Sequence, residues 1–238
     1  MLRSCFVSVV TTVIILPFLL IGCSRKTEEP IKPKGQEVAS ESGAKKADIP
    51  AKSVIPAPST KPITEEKVLF SFENNDMDGW EIPDWALEKD DNAAVNLEIS
   101  NEITSEGKSS LKLDTDFPGD MWTAALVEQM QYFDFSPYRE IAADLYIPKD
   151  APLGLRAKII LSVGDKWTFS EMARNVPLVP GEWVTVRASV EPGSYDWKKI
   201  IPDESFRQDV RKIAVRVESN KKPVYKGPIY IDNIRIGK

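Results

Sequence analysis

The side chains able to do chemistry in this 238-residue chain are unevenly chosen: 36 Asp and Glu, six Trp, two Cys and no His. Without histidine there is no ordinary general base near neutral pH, and the commonest metal ligand is missing. Ser-His and Cys-His nucleophile pairs are excluded with it, as are zinc sites built on His or Cys. Carboxylates remain. They can hold a hard cation through oxygen, or work as a glycosidase pair roughly 5–9 Å apart. Acids are plentiful here and no motif singles out two of them. The tryptophans offer flat apolar faces with one polar edge each.

The charge balance narrows the partners. From Lys67 onward there are 22 Lys+Arg against 29 Asp+Glu, a net charge of −7. Nucleic-acid binders carry the opposite balance, and anionic lipid would repel rather than attract such a domain. Attachment to a membrane has to be covalent.

The first 22 residues supply a route to it. Met1-Leu2-Arg3 is a positive start, and an apolar run from Phe6 to Ile21 follows. The run ends Leu19-Leu20-Ile21-Gly22-Cys23, which resembles the lipobox of bacterial lipoproteins. That resemblance implies cleavage before Cys23, lipid on Cys23, and export. Ser24 at the next position implies the outer membrane or cell surface where the envelope has one. Cys5 leaves with the signal, so the mature domain has no disulfide. Residues 23–66 then form the lipidated cysteine and a linker. It carries six prolines, mixed charges and no aromatic, too little apolar surface to offset its ordering entropy. It reads as a disordered tether.

The elements that must position any site begin at Lys67. Strand-like alternation recurs at Val68–Phe72, Val95–Ser100, Ser110–Asp114, Trp122–Met130, Ile141–Ile147, Arg156–Val163, Trp183–Val190, Ile213–Glu218 and Ile229–Ile236. Turn residues separate the runs, as at Ser105–Lys108, Pro118–Asp120 and Pro180–Glu182. A short helix is expected near Glu204–Val210. About nine strands over residues 67–238 predict an all-β sandwich with one core. In the last strand, Ile229 and Ile231 share one parity and Ile234 and Ile236 the other, so a β-bulge is expected at Asp232-Asn233.

The ordered motifs of this domain resemble jelly-roll carbohydrate-binding modules of the galactose-binding-like group. They are Phe72-Glu73 followed by Asp78-Gly79-Trp80, Glu106-Gly107-Lys108-Ser109 before Leu111, Asp134–Tyr138, Pro180–Trp183, and Tyr230-Ile231-Asp232-Asn233-Ile234. The resemblance implies a jelly-roll β-sandwich. It also implies a structural Ca²⁺ held by the carboxylates of Glu73 and Asp232 and by backbone oxygens around Gly107 and Lys108.

A glycan site in such a module needs exposed aromatic faces and polar groups for hydroxyls. Trp80 and Trp183 occupy positions that pack in the family. Trp85, Trp122, Trp167 and Trp197 sit in or beside loops rich in Asp, Lys and Gly and are the candidate platforms, the alternative being that they cap the core. Glu128, Gln129, Gln131, Arg156 and Lys158 interrupt apolar runs; they line a sheet face that reads hydroxyls or form an ordinary solvated surface. The expectation is a membrane-anchored, non-catalytic lipoprotein whose sandwich binds a polysaccharide or oligosaccharide. A structural or protein-interaction module of the envelope stands second, and a glycoside hydrolase third.

Overall fold

The structure, a computed structural model, describes residues 62–238. The signal segment, Cys23 and all of the tether but its last residues lie outside the described residues. Twelve strands and two short helices follow in the order β1 (Glu66–Phe70), β2 (Trp80–Glu81), α1 (Asp84–Leu87), β3 (Ala94–Ser100), β4 (Ser110–Phe117), β5 (Trp122–Phe133), β6 (Glu140–Tyr146), β7 (Arg156–Val163), β8 (Thr168–Glu171), β9 (Val176–Pro177), β10 (Trp183–Ser189), α2 (Glu204–Gln208), β11 (Val210–Asn220) and β12 (Tyr225–Gly237).

Two antiparallel six-stranded sheets face each other. Sheet I runs β10-β6-β12-β4-β3, with β1 also on β12; sheet II runs β2-β5-β11-β7-β8, with β9 also on β7. Every main strand of the sequence reading is present, and the helix near Glu204 starts where Asp203 caps it by accepting the Phe206 N–H at 2.8 Å. The short strands β2, β8 and β9 and helix α1 are additions. They run to four residues or fewer, too short for alternation to register.

Alternate side chains from both sheets fill the space between them. Leu111, Leu113, Ile141, Leu145, Val186, Ile229 and Ile231 meet Ala125, Val127, Ala157, Ile159, Leu161, Ile213 and Val215 in one cluster. Each fully buried Leu, Ile or Val there is worth about 1.5–3 kcal/mol. Trp80 packs into this core beside Phe70, ring centroids 5.6 Å apart.

Two irregularities place acids. The first strand does not alternate simply: its register with β12 shifts between Val68 and Phe70, so Val68 is exposed while Phe70 and Phe72 are buried. Phe72 then takes a φ of 59°, and the chain turns so that Glu73 reaches away from the core. The second is the expected bulge in β12. Its register against β6 slips between Asp232 and Arg235, and Asn233 has a φ of 49°. Before the bulge β12 pairs with β4 on one edge, and after it with β1 on that same edge. The bulge is where the strand changes neighbours.

Candidate functional site

The outer face of sheet II is built by the even-numbered residues of β5, of β7 and, past the register shift at Val210/Lys212, of β11, because their odd-numbered neighbours there face the core. Register sets the rows across the strands. Ala124, Glu218 and Arg156 are neighbours, as are Leu126, Arg216 and Lys158. Glu128, Ala214, Ile160 and Glu171 form the next row, and Met130, Lys212, Ser162 and Phe169 the one after it. Leu126, Ile160 and Ala214 make a small apolar strip separate from the main core. Charged side chains stand around it.

Aromatic side chains mark both ends of this face. At one end a cavity of about 270 Å³ is lined by Trp85, Lys89, Asp91, Asn92, Trp122 and Arg216, among others. Trp85 is 48% exposed. It is carried by α1, and the loop after that helix is tied to β5 by the Ala93 N–H donating to the Ala124 carbonyl at 2.9 Å. Asn92 stiffens the same loop through bonds with the Ala94 backbone of 2.9 and 3.1 Å. The Arg216 guanidinium lies 5.7 Å from the Trp122 ring centre. At the other end Arg211 sits 5.2 Å from the Tyr132 ring centre and 5.7 Å from that of Trp167, while forking onto Asp209. Trp167 is 44% exposed and has a φ of 51°, a conformation that costs a residue with a Cβ about 1–2 kcal/mol. From Trp122 to Tyr132 the strand rise separates the two ends by about 30 Å.

Between them lies an ionic network. Arg216 Nη2 donates to Glu171 at 2.5 Å and to Glu218 at 3.2 Å. Lys198 donates to Glu171 at 2.6 Å, and the Asn175 amide bonds Glu218. Lys158 Nζ is 3.6 Å from Glu171 and 4.0 Å from Glu218 and makes no hydrogen bond, although its side chain is only 3% exposed. Its burial pushes its pKa below the usual lysine value, against the pull of the two carboxylates. Burial raises Glu171, but Lys198, Arg216 and Lys158 outweigh it and hold the group below the ordinary carboxylate value. Lys212 and Glu128 form a separate pair at 2.8 Å.

Of the residues predicted from sequence, Trp85, Trp122, Glu128, Arg156 and Lys158 come together on this face, and Trp167 stands at its far end. Trp197 and Gln129 do not reach it. Trp197 is buried against Phe206, its indole N–H donating to the Ser189 carbonyl at 2.7 Å. Gln129 has the opposite parity to Trp122 on β5 and is buried beside β2, bonding the Asp78 carbonyl at 3.4 Å. Gln131 lines a different groove, alongside Lys67, Leu69 and Tyr138. Arg216, Glu171 and Glu218 were missed. The signal for two of them is the stretch Ala214–Glu218, where Arg216 and Glu218 alternate with buried Val215 and Val217.

The two acids assigned to calcium do meet. Asp232 accepts N–H bonds from Ser105 at 2.8 Å, Glu106 at 3.3 Å and Asn233 at 2.7 Å. Glu73 accepts them from Lys108 at 2.9 Å and Ser109 at 3.1 Å. A cavity of about 220 Å³ lies beside them, lined by Val68, Ser71, Glu73, Glu106, Gly107, Asp232 and Asn233. Burial, opposed by those N–H groups but reinforced by the charge of Glu73, raises Asp232 above its ordinary pKa. The paired carboxylates suit a hard cation with oxygen ligands. Lys108, however, turns its N–H rather than its carbonyl toward Glu73. Among the described residues no group of three or more acids surrounds one point.

No family profile matches the sequence, and no curated protein matches it. Solved structures do. The CBM27-1 module of Caldicellulosiruptor saccharolyticus, crystallised with mannohexaose, superposes with a TM-score of 0.52 at 20% identity, over 73% of this chain and 97% of that one. A CBM28 carbohydrate-binding module specific for non-crystalline cellulose gives a TM-score of 0.52 at 14% identity, over 74% of this chain and 96% of that one. At such identities the likeness establishes the fold. The domain has a jelly-roll β-sandwich fold, the fold of those two modules.

Proposed function

We propose that this protein is a non-catalytic glycan-binding lipoprotein, anchored through lipid on Cys23 at the outer membrane or cell surface. Its sandwich binds a polysaccharide or oligosaccharide on the outer face of sheet II, with the cavity between Trp85 and Trp122 as the main subsite. The observation that carries this is the joint lining of one solvent-open cavity by two indoles, an amide and a guanidinium. A sugar ring stacks its C–H face on an aromatic and leaves its hydroxyls to polar neighbours. The structural relatives add support, since the same fold accommodates mannohexaose in one and is specific for non-crystalline cellulose in the other.

Catalysis is disfavoured by how the acids on this face are used. Glu171 and Glu218 both bond Arg216, and Glu171 is held ionised. A glycosidase general acid needs the reverse, a raised pKa. A Ca²⁺ held by Glu73 and Asp232 would be structural: it would pin the turn at residues 105–109 to the last strand, on a part of the domain separate from the glycan subsite.

Binding to immobilised polysaccharides, read alongside tryptophan fluorescence, tests the reading. Wild-type protein should bind, Trp122→Ala should lose at least tenfold in affinity, about 1.4 kcal/mol, and its fold should persist. Failure to bind any polysaccharide in a broad panel would refute it.

A further inference from the structure

We propose that the glycan taken by this face is acidic, carrying carboxylates on its sugar rings, and that Arg216 and Lys158 receive one of those carboxylates beside Trp122. The proposal rests on the glycan-binding reading and names the class of ligand.

The charge of the floor is the first ground. The linked network holds three cations, Lys158, Lys198 and Arg216, against two carboxylates, Glu171 and Glu218. Arg156 adds another cation in the next row, opposite Glu218. In the cavity lining Lys89 and Asp91 balance, so the positive charge there is that of Arg216 itself. This local surplus of positive charge stands in a domain whose overall balance is strongly acidic.

The second ground is unused donor capacity. An ammonium carries three N–H donors. Lys158, nearly excluded from solvent, hydrogen-bonds with none of them, and its nearest carboxylate oxygens lie at 3.6 and 4.0 Å. Arg216 spends only Nη2, on Glu171 and Glu218. Its Nε is buried without a partner. A buried donor without a partner is costly, and a local surplus of one charge is held against its own repulsion. A sugar hydroxyl would relieve the first and leave the second. A carboxylate relieves both, through charge-assisted bonds about twice as strong as neutral ones. A uronic acid ring also has the geometry: an apolar face for the Trp122 indole and a carboxylate at its rim for a guanidinium 5.7 Å from that indole.

The test measures affinity electrophoresis of the full chain on polygalacturonate and alginate, on the same polymers after carboxyl reduction, and on a sulfated neutral galactan. We expect an acidic polymer to be bound roughly tenfold tighter than its reduced form, with the preference shrinking as salt rises. Arg216→Gln should abolish the preference and Arg216→Lys should retain most of it. Lys158→Met should weaken the preference while the melting curve stays cooperative. Equal binding of acidic and reduced polymers would overturn the proposal and leave the glycan-binding reading standing. Binding of the sulfated polymer alone would overturn the carboxylate assignment. Binding of nothing would overturn both.

Discussion

Glu73 and Asp232, from opposite ends of the domain, grip the same turn: Glu73 takes the N–H groups of Lys108 and Ser109, and Asp232 those of Ser105 and Glu106. Two like charges are thereby brought to one side of this turn, with the Coulombic repulsion this entails. A divalent cation between them would reverse the sign of that interaction. We expect calcium to raise the melting temperature by several degrees, since saturation at about 100 times Kd is worth roughly 2.7 kcal/mol. Asp232→Ala should lower it in chelator and remove the calcium-dependent rise. Scanning calorimetry with and without chelator measures both, and identical wild-type curves would count against the ion.

Gly107 should resist substitution. Its φ is +64°, and a Cβ built on it would collide with the Glu73 carboxylate. Gly107→Ala therefore combines backbone strain with loss of the Glu73 bonds, at an expected cost of about 2–4 kcal/mol. Urea unfolding measures it. In a Glu73→Ala background the same substitution should cost less, because the colliding group is gone.

The tryptophans should divide by role. Trp85→Ala and Trp122→Ala are expected to change stability by less than about 1.5 kcal/mol while weakening glycan binding. Trp197→Ala removes a core indole bonded to Ser189 and should cost about 3–5 kcal/mol. Paired stability and binding measurements on the three variants test the division. A Trp122→Ala protein that unfolds would move that ring from platform to core.

Lys158 should leave a signature in pH dependence. Its folded pKa lies below its unfolded value, so the folded protein releases this proton first as pH rises. Its contribution to stability is thus fully present only above the unfolded value near 10.5, and is lost as pH falls through the lower folded value. The melting temperature of wild type minus that of Lys158→Met should increase from neutral pH toward pH 10. A difference that is flat or falls over this range would contradict the burial of a charged ammonium.

The anchor is tested separately. Cys23→Ala should leave the exported protein without lipid label and uncut at residue 22, as read by radiolabelled palmitate and mass spectrometry. Normal maturation of the variant would remove the lipoprotein assignment.

The sequence by itself determined the strands and their faces, because a side-chain period of two is a local property of the backbone. It determined the bulge at Asp232-Asn233 for the same reason: a phase change within one strand is visible without knowing the partner strands. Parity also held information left unused, since Gln129 cannot share a face with Trp122 on an unbroken strand. Only the tertiary structure decided which tryptophans are exposed. Trp85 and Trp197 both sit in connections, and burial depends on what the rest of the fold places against each. The network of Lys158, Glu171, Lys198, Arg216 and Glu218 was illegible because its members come from β7, β8, β11 and a connecting loop, and their contact is set by strand order across the sheet. The meeting of Glu73 and Asp232 followed from resemblance alone. Its physical cause, a buried phenylalanine at positive φ and a bulge where β12 exchanges β4 for β1, exists only once the two sheets are assembled.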